Sequence, residues 1–186
     1  CLAKAKPTGE LTPAGNPRLT LVDGPETEFR CFSASQEVLL PGVYKRRKHN
    51  YDLLKRYRDN PGKLVELISQ SMPHGLGILR YHVGGDIFSP GYLEAIIRVA
   101  ALYPDRLFYA YTKSLGYWIK RRKDIDKLDN LVLTASRGGR LDHLIDSEGL
   151  REAVVVYSEQ EAENLGLEID HDDSHAARPD IAGQSF

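Results

Sequence analysis

Cysteine is scarce: the chain has only Cys1 and Cys31. Two thiols are too few for a disulfide scaffold, and a reducing, cytoplasmic setting is expected. Long apolar runs are missing too. Nothing approaches the roughly 20 residues that span a bilayer, and no signal-peptide pattern is visible, so no membrane partner is expected. Charge of one sign is lacking, since the net charge is −1; the molecule as a whole is not an electrostatic magnet for nucleic acid. A repeat of fixed period, a low-complexity tract and the G-x-G-x-x-G dinucleotide fingerprint are all absent. The chain opens on Cys1 rather than Met and closes on Ala182-Gly183-Gln184-Ser185-Phe186, which looks like the start of a strand; both ends read as cut.

What is present suits a globular domain. An apolar share of 41% and a charged share of 27% over 186 residues allow one domain with a real core. The most informative stretch is 78–113. Residues 78–83 have the β-branched and aromatic content of a strand. Gly84-Gly85-Asp86 breaks it, and Ser89-Pro90 supplies an N-cap and a first-turn proline. Leu93, Ile96, Ile97, Ala100 and Ala101 then recur at helical spacing, and Pro104-Asp105 ends the helix. Residues 107–111 read as a second strand. This is one β-α-β unit, whose strands pair in parallel. Further strands are expected at 130–134 and 153–157, and a helix at 158–165 whose Ser158 and Glu161 form a capping box. Upstream, helices are expected over 43–57 and from Asn60-Pro61 to Met72-Pro73. Residues 1–30 read as an irregular, cysteine-flanked loop or insertion with a hint of strand at 18–22, and 31–186 as the α/β domain. The expected architecture is a parallel sheet, open or barrel-like.

Parallel α/β sheets gather functional groups at the carboxyl ends of their strands. His82, Gly84, Gly85, Asp86, Thr112 and Lys113 fall there. The two glycines serve either a tight turn or close approach of a ligand to bare backbone, with Asp86 gripping an amine or hydroxyl. Lys113 is either solvated or a point charge for phosphate or carboxylate. Ser136-Arg137-Gly138-Gly139-Arg140 suits an anion site of backbone N–H groups and guanidinium. Asp142 and His143 beside it could orient each other. Cys1 and Cys31 are either plain thiols or ligands of a metal or cluster, which normally needs three or four thiolates. His171 and His175 would share a helix face as zinc ligands do, but the stretch has no apolar face and reads as a solvated tail. Lys45-Arg46-Arg47-Lys48 and Lys120-Arg121-Arg122-Lys123 are basic runs, either solvated faces or a strip for a nucleic-acid backbone.

The run HVGGDIFSPGYLEAIIRVAALYPDRLFYAYTKS resembles the phage "gene product 88" family, with its H-x-x-GD-F strand end, Y-L-x-A helix and FYAYTK strand. SRGGRLDHLID resembles the segment that follows in that family, and Asp172-Asp173-Ser174 its later acidic stretch. The similarity covers roughly residues 31–186. Members carry a cysteine-rich segment upstream, to which Cys1-Leu2-Ala3 and the C-Y-A-like Cys31-Phe32-Ser33-Ala34 are similar. The layout is also similar to radical S-adenosylmethionine enzymes, which place a three-cysteine loop after the first strand of a partial (β/α) barrel and a Gly-Gly-acidic motif after the second. That resemblance implies a partial barrel truncated at its ends and an iron–sulfur, S-adenosylmethionine-dependent enzyme of the infected host's cytoplasm. Cys1 and Cys31, with a further cysteine, would ligate a 4Fe-4S cluster. Gly84, Gly85 and Asp86, with His82, would hold S-adenosylmethionine, and Lys113, Arg137 and Arg140 would meet its carboxylate or the substrate. The expectation from another class is a non-catalytic phage accessory protein that binds nucleic acid through the two basic runs. Small molecules and nucleic acid both stand as possible substrates.

Overall fold

The computed structural model describes residues 4–22 and 32–178. Two compact units emerge, Cys1–Arg56 with Val83–Gly85, and Tyr57–His82 with Asp86–Phe186. Cys1 and Cys31 lie outside the described residues.

In the first unit, strands β1 (Lys4–Leu11) and β2 (Pro17–Val22) pair antiparallel. Thr12 and Asn16 close the connection, the Thr12 N–H donating to the Asn16 carbonyl at 2.8 Å. The strand hinted at over 18–22 is present as β2; the stretch before it, read as irregular, contains β1 as its partner. Residues 6–11 and 13–18 are exposed, so they carry no alternating burial pattern, and the strands join through backbone pairing. Helix α1 (Phe32–Leu39) packs against β2 and against α2 (Pro41–Arg56). It buries Ser33, Ala34 and Val38. Arg47 ties the two helices, donating to Gln36 Oε1 at 2.7 Å and to the Ser33 carbonyl at 3.3 Å.

The second unit opens with α3 (Pro61–Ser71) and then β3 (Ile78–Tyr81). Asn60 caps α3, its side chain accepting from the Lys63 N–H at 3.0 Å, which is why the chain turns helical at Pro61. Next come α4 (Pro90–Leu102), β4 (Leu107–Thr112), α5 (Leu115–Ile125) and β5 (Leu131–Ser136). The chain continues through α6 (His143–Glu148), β6 (Glu152–Ala153), α7 (Glu159–Leu165) and α8 (Ser174–Ala177). The expected β-α-β unit is present: Ile78–Tyr81 pairs in parallel with Leu107–Ala110. The sheet is parallel throughout, with strand order β3-β4-β5-β6. Ser89 caps α4, accepting from the Tyr92 N–H at 3.1 Å.

Alternation divides the sheet into two faces. Right-handed crossovers place α4 and α5 on the same side. Leu93, Ile96, Val99, Phe108 and Leu115 form fully buried parts of the core. The other face carries Tyr109 and Val132, which pack with Ala176 of α8. That corrects the reading of the segment around His171 and His175 as a solvated tail: Ala176 is 1% exposed. Two small residues, Ala176 and Ala177, make the contact rather than an amphipathic stripe, so no apolar face was visible. The fourth strand is also shorter than expected, ending at Ala153, with Val155 and Tyr157 62% and 76% exposed. Its apolar run reads as a buried strand, yet pairing with β5 stops after two residues. Among the described residues no helix is long and apolar enough to cross a membrane.

Candidate functional site

The carboxyl edge of the sheet does gather polar groups, but the chain itself occupies most of them. After β3 the backbone at His82 adopts φ 57, a left-handed conformation that histidine tolerates better than most residues. It turns the ring inward, where His82 Nε2 lies 3.0 Å from the Tyr92 hydroxyl. Burial pushes the His82 imidazole below its ordinary value, because the charged form loses water; nearby Asp86 opposes this weakly. The other ring nitrogen, Nδ1, is buried without a hydrogen-bond partner.

Gly84 and Gly85 have different causes. A Cβ at Gly84 would lie 2.8 Å from Ser33 Oγ and 2.9 Å from Arg47 Cζ. The close approach that requires glycine is therefore made by side chains of α1 and α2, within the first unit. At Gly85 the requirement is the backbone, with φ 97 and open space around the Cβ position.

Asp86 is a clasp. Its Oδ1 accepts from Thr112 Oγ1 at 2.6 Å and from the Ile87 N–H at 2.6 Å; its Oδ2 accepts from the Lys113 N–H at 2.9 Å. The loop after β3 is thereby fastened to the end of β4. Lys113 points elsewhere: Nζ donates to the Ser136 carbonyl at 2.8 Å and the Arg137 carbonyl at 2.6 Å, and burial lowers its pKa. Arg137 pairs with Glu152 and, at 2.8 Å, with Asp146. The hydrogen bonds it donates to those carboxylates raise its pKa further. The backbone N–H groups of Gly138 and Gly139 form the expected anion nest, but Asp142 fills it at 2.8 and 2.9 Å. Asp142 thus orients the loop rather than His143. Arg140 is exposed in the same turn.

Of the groups expected to meet S-adenosylmethionine, Asp86, Lys113 and Arg137 have partners within the chain. Among the described residues no group of three or more His, Cys, Asp or Glu could hold a metal ion, and the expected cluster ligands, Cys1 and Cys31, fall outside those residues.

The two basic runs differ. In α5, Arg121 bonds Glu94 and, at 2.9 Å, Asp124, while Arg122 donates to the Glu148 carbonyl at 2.7 Å and faces Asp126 at 3.6 Å. The two arginines of that run are thus paired with neighbouring carboxylates. In α2 six Lys or Arg stand against one Asp, and none of its residues is buried. Tyr44, Lys48, Tyr51 and Lys55 recur at four, three and four residues and share one face. Tyr44 and Tyr51 are 43% and 45% exposed. Lys55 Nζ lies 5.5 Å from the Tyr51 ring centre, and Lys48 meets Asp52 at 2.5 Å.

Sequence reasoning gave no site role to Arg80, nor to Tyr109, Tyr111 and Asp173 beyond their place in quoted motifs; the four meet on the sheet face opposite α4. The signal was in the alternation, which puts Tyr109 and Tyr111 of β4 on one side.

Comparison with known families matches residues 13–184 to a family model described as Gene product 88. No curated protein and no solved structure matches the chain.

Proposed function

The chain belongs to the gene product 88 family, and we propose that this member is a phage accessory protein that binds single-stranded nucleic acid through α2. The observation that carries the reading is the Tyr44–Lys48–Tyr51–Lys55 face. Two exposed aromatic rings lie about 10 Å apart along the helix at about 1.5 Å per residue. Lysines alternate with them. Rings of this kind stack bases without regard to sequence, while lysines meet phosphates. The net charge of −1 adds no long-range attraction, so affinity is expected to be modest and steeply salt-dependent. The test is fluorescence anisotropy of a labelled single-stranded oligonucleotide at several salt concentrations, with the duplex as a second arm. Replacing Lys45, Lys48 and Lys55 by glutamate should cut affinity by at least tenfold. Tyr51→Ala should cost about 1–3 kcal/mol, the scale of one base stacked on an aromatic ring. Parent protein that binds no oligonucleotide at low salt, or variants that bind as well as the parent, would overturn the reading.

The second reading is the iron–sulfur, S-adenosylmethionine-dependent enzyme. The parallel strands β3-β4-β5-β6 in chain order favour it, since a partial (β/α) barrel runs in that order, with Gly84-Gly85-Asp86 after its first described strand. It needs cysteine ligands, of which Cys1 and Cys31 are the candidates, and release of Asp86 from its internal donors. Anaerobic iron and sulfide reconstitution decides it: a brown protein with broad absorbance is expected, and a colourless one ends the reading.

A further inference from the structure

We propose that the sheet face carrying Arg80, Tyr109, Tyr111 and Thr134 is an anion-binding site, for a ligand bearing a phosphoryl or carboxylate group, and that Asp173 is its internal occupant. The placement follows from register. Arg80 pairs with Tyr109, and Tyr111 with Thr134. Partners in parallel strands project to the same side, and residues 109 and 111 share a face by alternation. Four side chains able to donate hydrogen bonds therefore stand together on three adjacent strands.

Their donors converge on one carboxylate. Asp173 accepts from Arg80 Nη1, from Tyr109 Oη at 3.2 Å and from Tyr111 Oη at 3.2 Å. The Arg80 guanidinium lies 5.0 Å from the Tyr111 ring centre, which fixes its plane. The carboxylate does not exhaust the site. Arg80 Nε is buried without a hydrogen-bond partner, and so is Thr134 Oγ1. Thr134 itself is fully buried. Buried donors left unmade are costly. A guanidinium is also built to grip an oxyanion with two parallel bonds. A phosphate, with more acceptor oxygens than Asp173 offers, answers both. A free carboxylate is the smaller member of the same class.

The occupant is held differently from the site. Asp173 has φ 64, a left-handed backbone in a residue other than glycine, and it precedes a helix of only four residues. The segment is anchored beyond Asp173, by Ala176 packed on Tyr109 and Val132 and by bonds at its far end. There Arg151 donates to the carbonyls of His175 and Arg178. The cradle is part of the sheet, whereas the plug is a strap that can leave without unmaking a strand.

The test is isothermal titration of the whole chain with inorganic phosphate and, separately, with acetate, at constant ionic strength. Asp173→Ala should bind one of the two at least tenfold more tightly than the parent, and adding Arg80→Gln should remove that binding. Phosphate preferred over acetate identifies a phosphorylated ligand, and the reverse a carboxylate. Circular dichroism establishes that each variant is folded; if the alanine variant is not, Asp173→Asn keeps the side-chain shape and carries the same comparison. A folded variant that binds neither anion more tightly than the parent overturns the proposal, as does binding that survives Arg80→Gln.

Discussion

His82 and His175 respond to pH in opposite senses, and both follow from what surrounds one ring. Burial holds His82 below the ordinary 6.5. Below that pH the unfolded chain takes a proton that the folded ring resists, so the His82 contribution is complete above about 6.5 and is lost as pH falls. His175 is raised above 6.5, first by its bond to Glu168 at 2.9 Å and then by Asp170. Its contribution is complete below 6.5 and fades as pH rises through the folded value. Melting temperature measured against pH separates the two. His82→Asn, which keeps a residue tolerant of positive φ, should flatten the acid side of the parent profile. His175→Gln should lower the melting temperature in mildly acidic buffer and leave it nearly unchanged at alkaline pH. Profiles that run parallel to the parent's would refute both assignments. Only the position of His82 at a strand end was visible in the sequence. The left-handed turn that buries its ring depends on Tyr92, which comes ten residues later.

At the scale of elements, α4 is held by contacts that allow no slack. A Cβ at Gly91 would lie 2.2 Å from the Arg58 carbonyl oxygen, and backbone cannot move aside as a side-chain tip can. Gly91→Ala is therefore expected to destabilise the protein by about 1–3 kcal/mol, the range for forcing atoms into packed space. A urea unfolding midpoint equal to the parent's would show that α4 can shift. At the helix's other end, Asn130 Nδ2 reaches the carbonyls of Ala100, Tyr103 and Arg106 at 2.9, 3.0 and 2.9 Å. Such elements were legible where local chemistry is decisive: Ser89-Pro90 starts α4, Asn60-Pro61 starts α3, and the apolar strands 78–81, 107–112 and 131–136 lie where their composition put them. Elements fixed by distant partners were not legible. Residues 6–11 of β1 are exposed and leave no burial pattern to mark it, and α1 carries only a short apolar stripe. In the candidate site, sequence placed Asp86 and Lys113 at the right edge. It could not show that Thr112 and the carbonyls of Ser136 and Arg137 already hold them, because those partners lie 23 to 27 residues away.

On the scale of the whole molecule, charge is abundant but balanced, with 25 Lys and Arg against 26 Asp and Glu. Many of the ion pairs, such as Lys63–Glu66 and Arg98–Glu94, join side chains in contact with water. Pairs of that kind contribute little and are screened by salt. Folding stability is thus expected to change by less than about 1 kcal/mol between low and moderately high sodium chloride, while oligonucleotide binding at α2 collapses over the same range. A chemical-denaturation series in salt checks the first half, and a large loss of stability would mean that the ion pairs matter more than their exposure allows. The docking of Asp173 against Arg80 bears on how the chain finds this structure. Each parallel strand pairs with the next one along the chain, so the sheet closes through contacts of moderate sequence separation. The Arg80–Asp173 pair spans 93 residues, and loop closure over such a distance is entropically late. The strap is therefore expected to arrive last, onto a sheet already assembled. Until then Tyr109 and Tyr111 face water, and the appearance of their burial in tyrosine fluorescence becomes a clock for the final step.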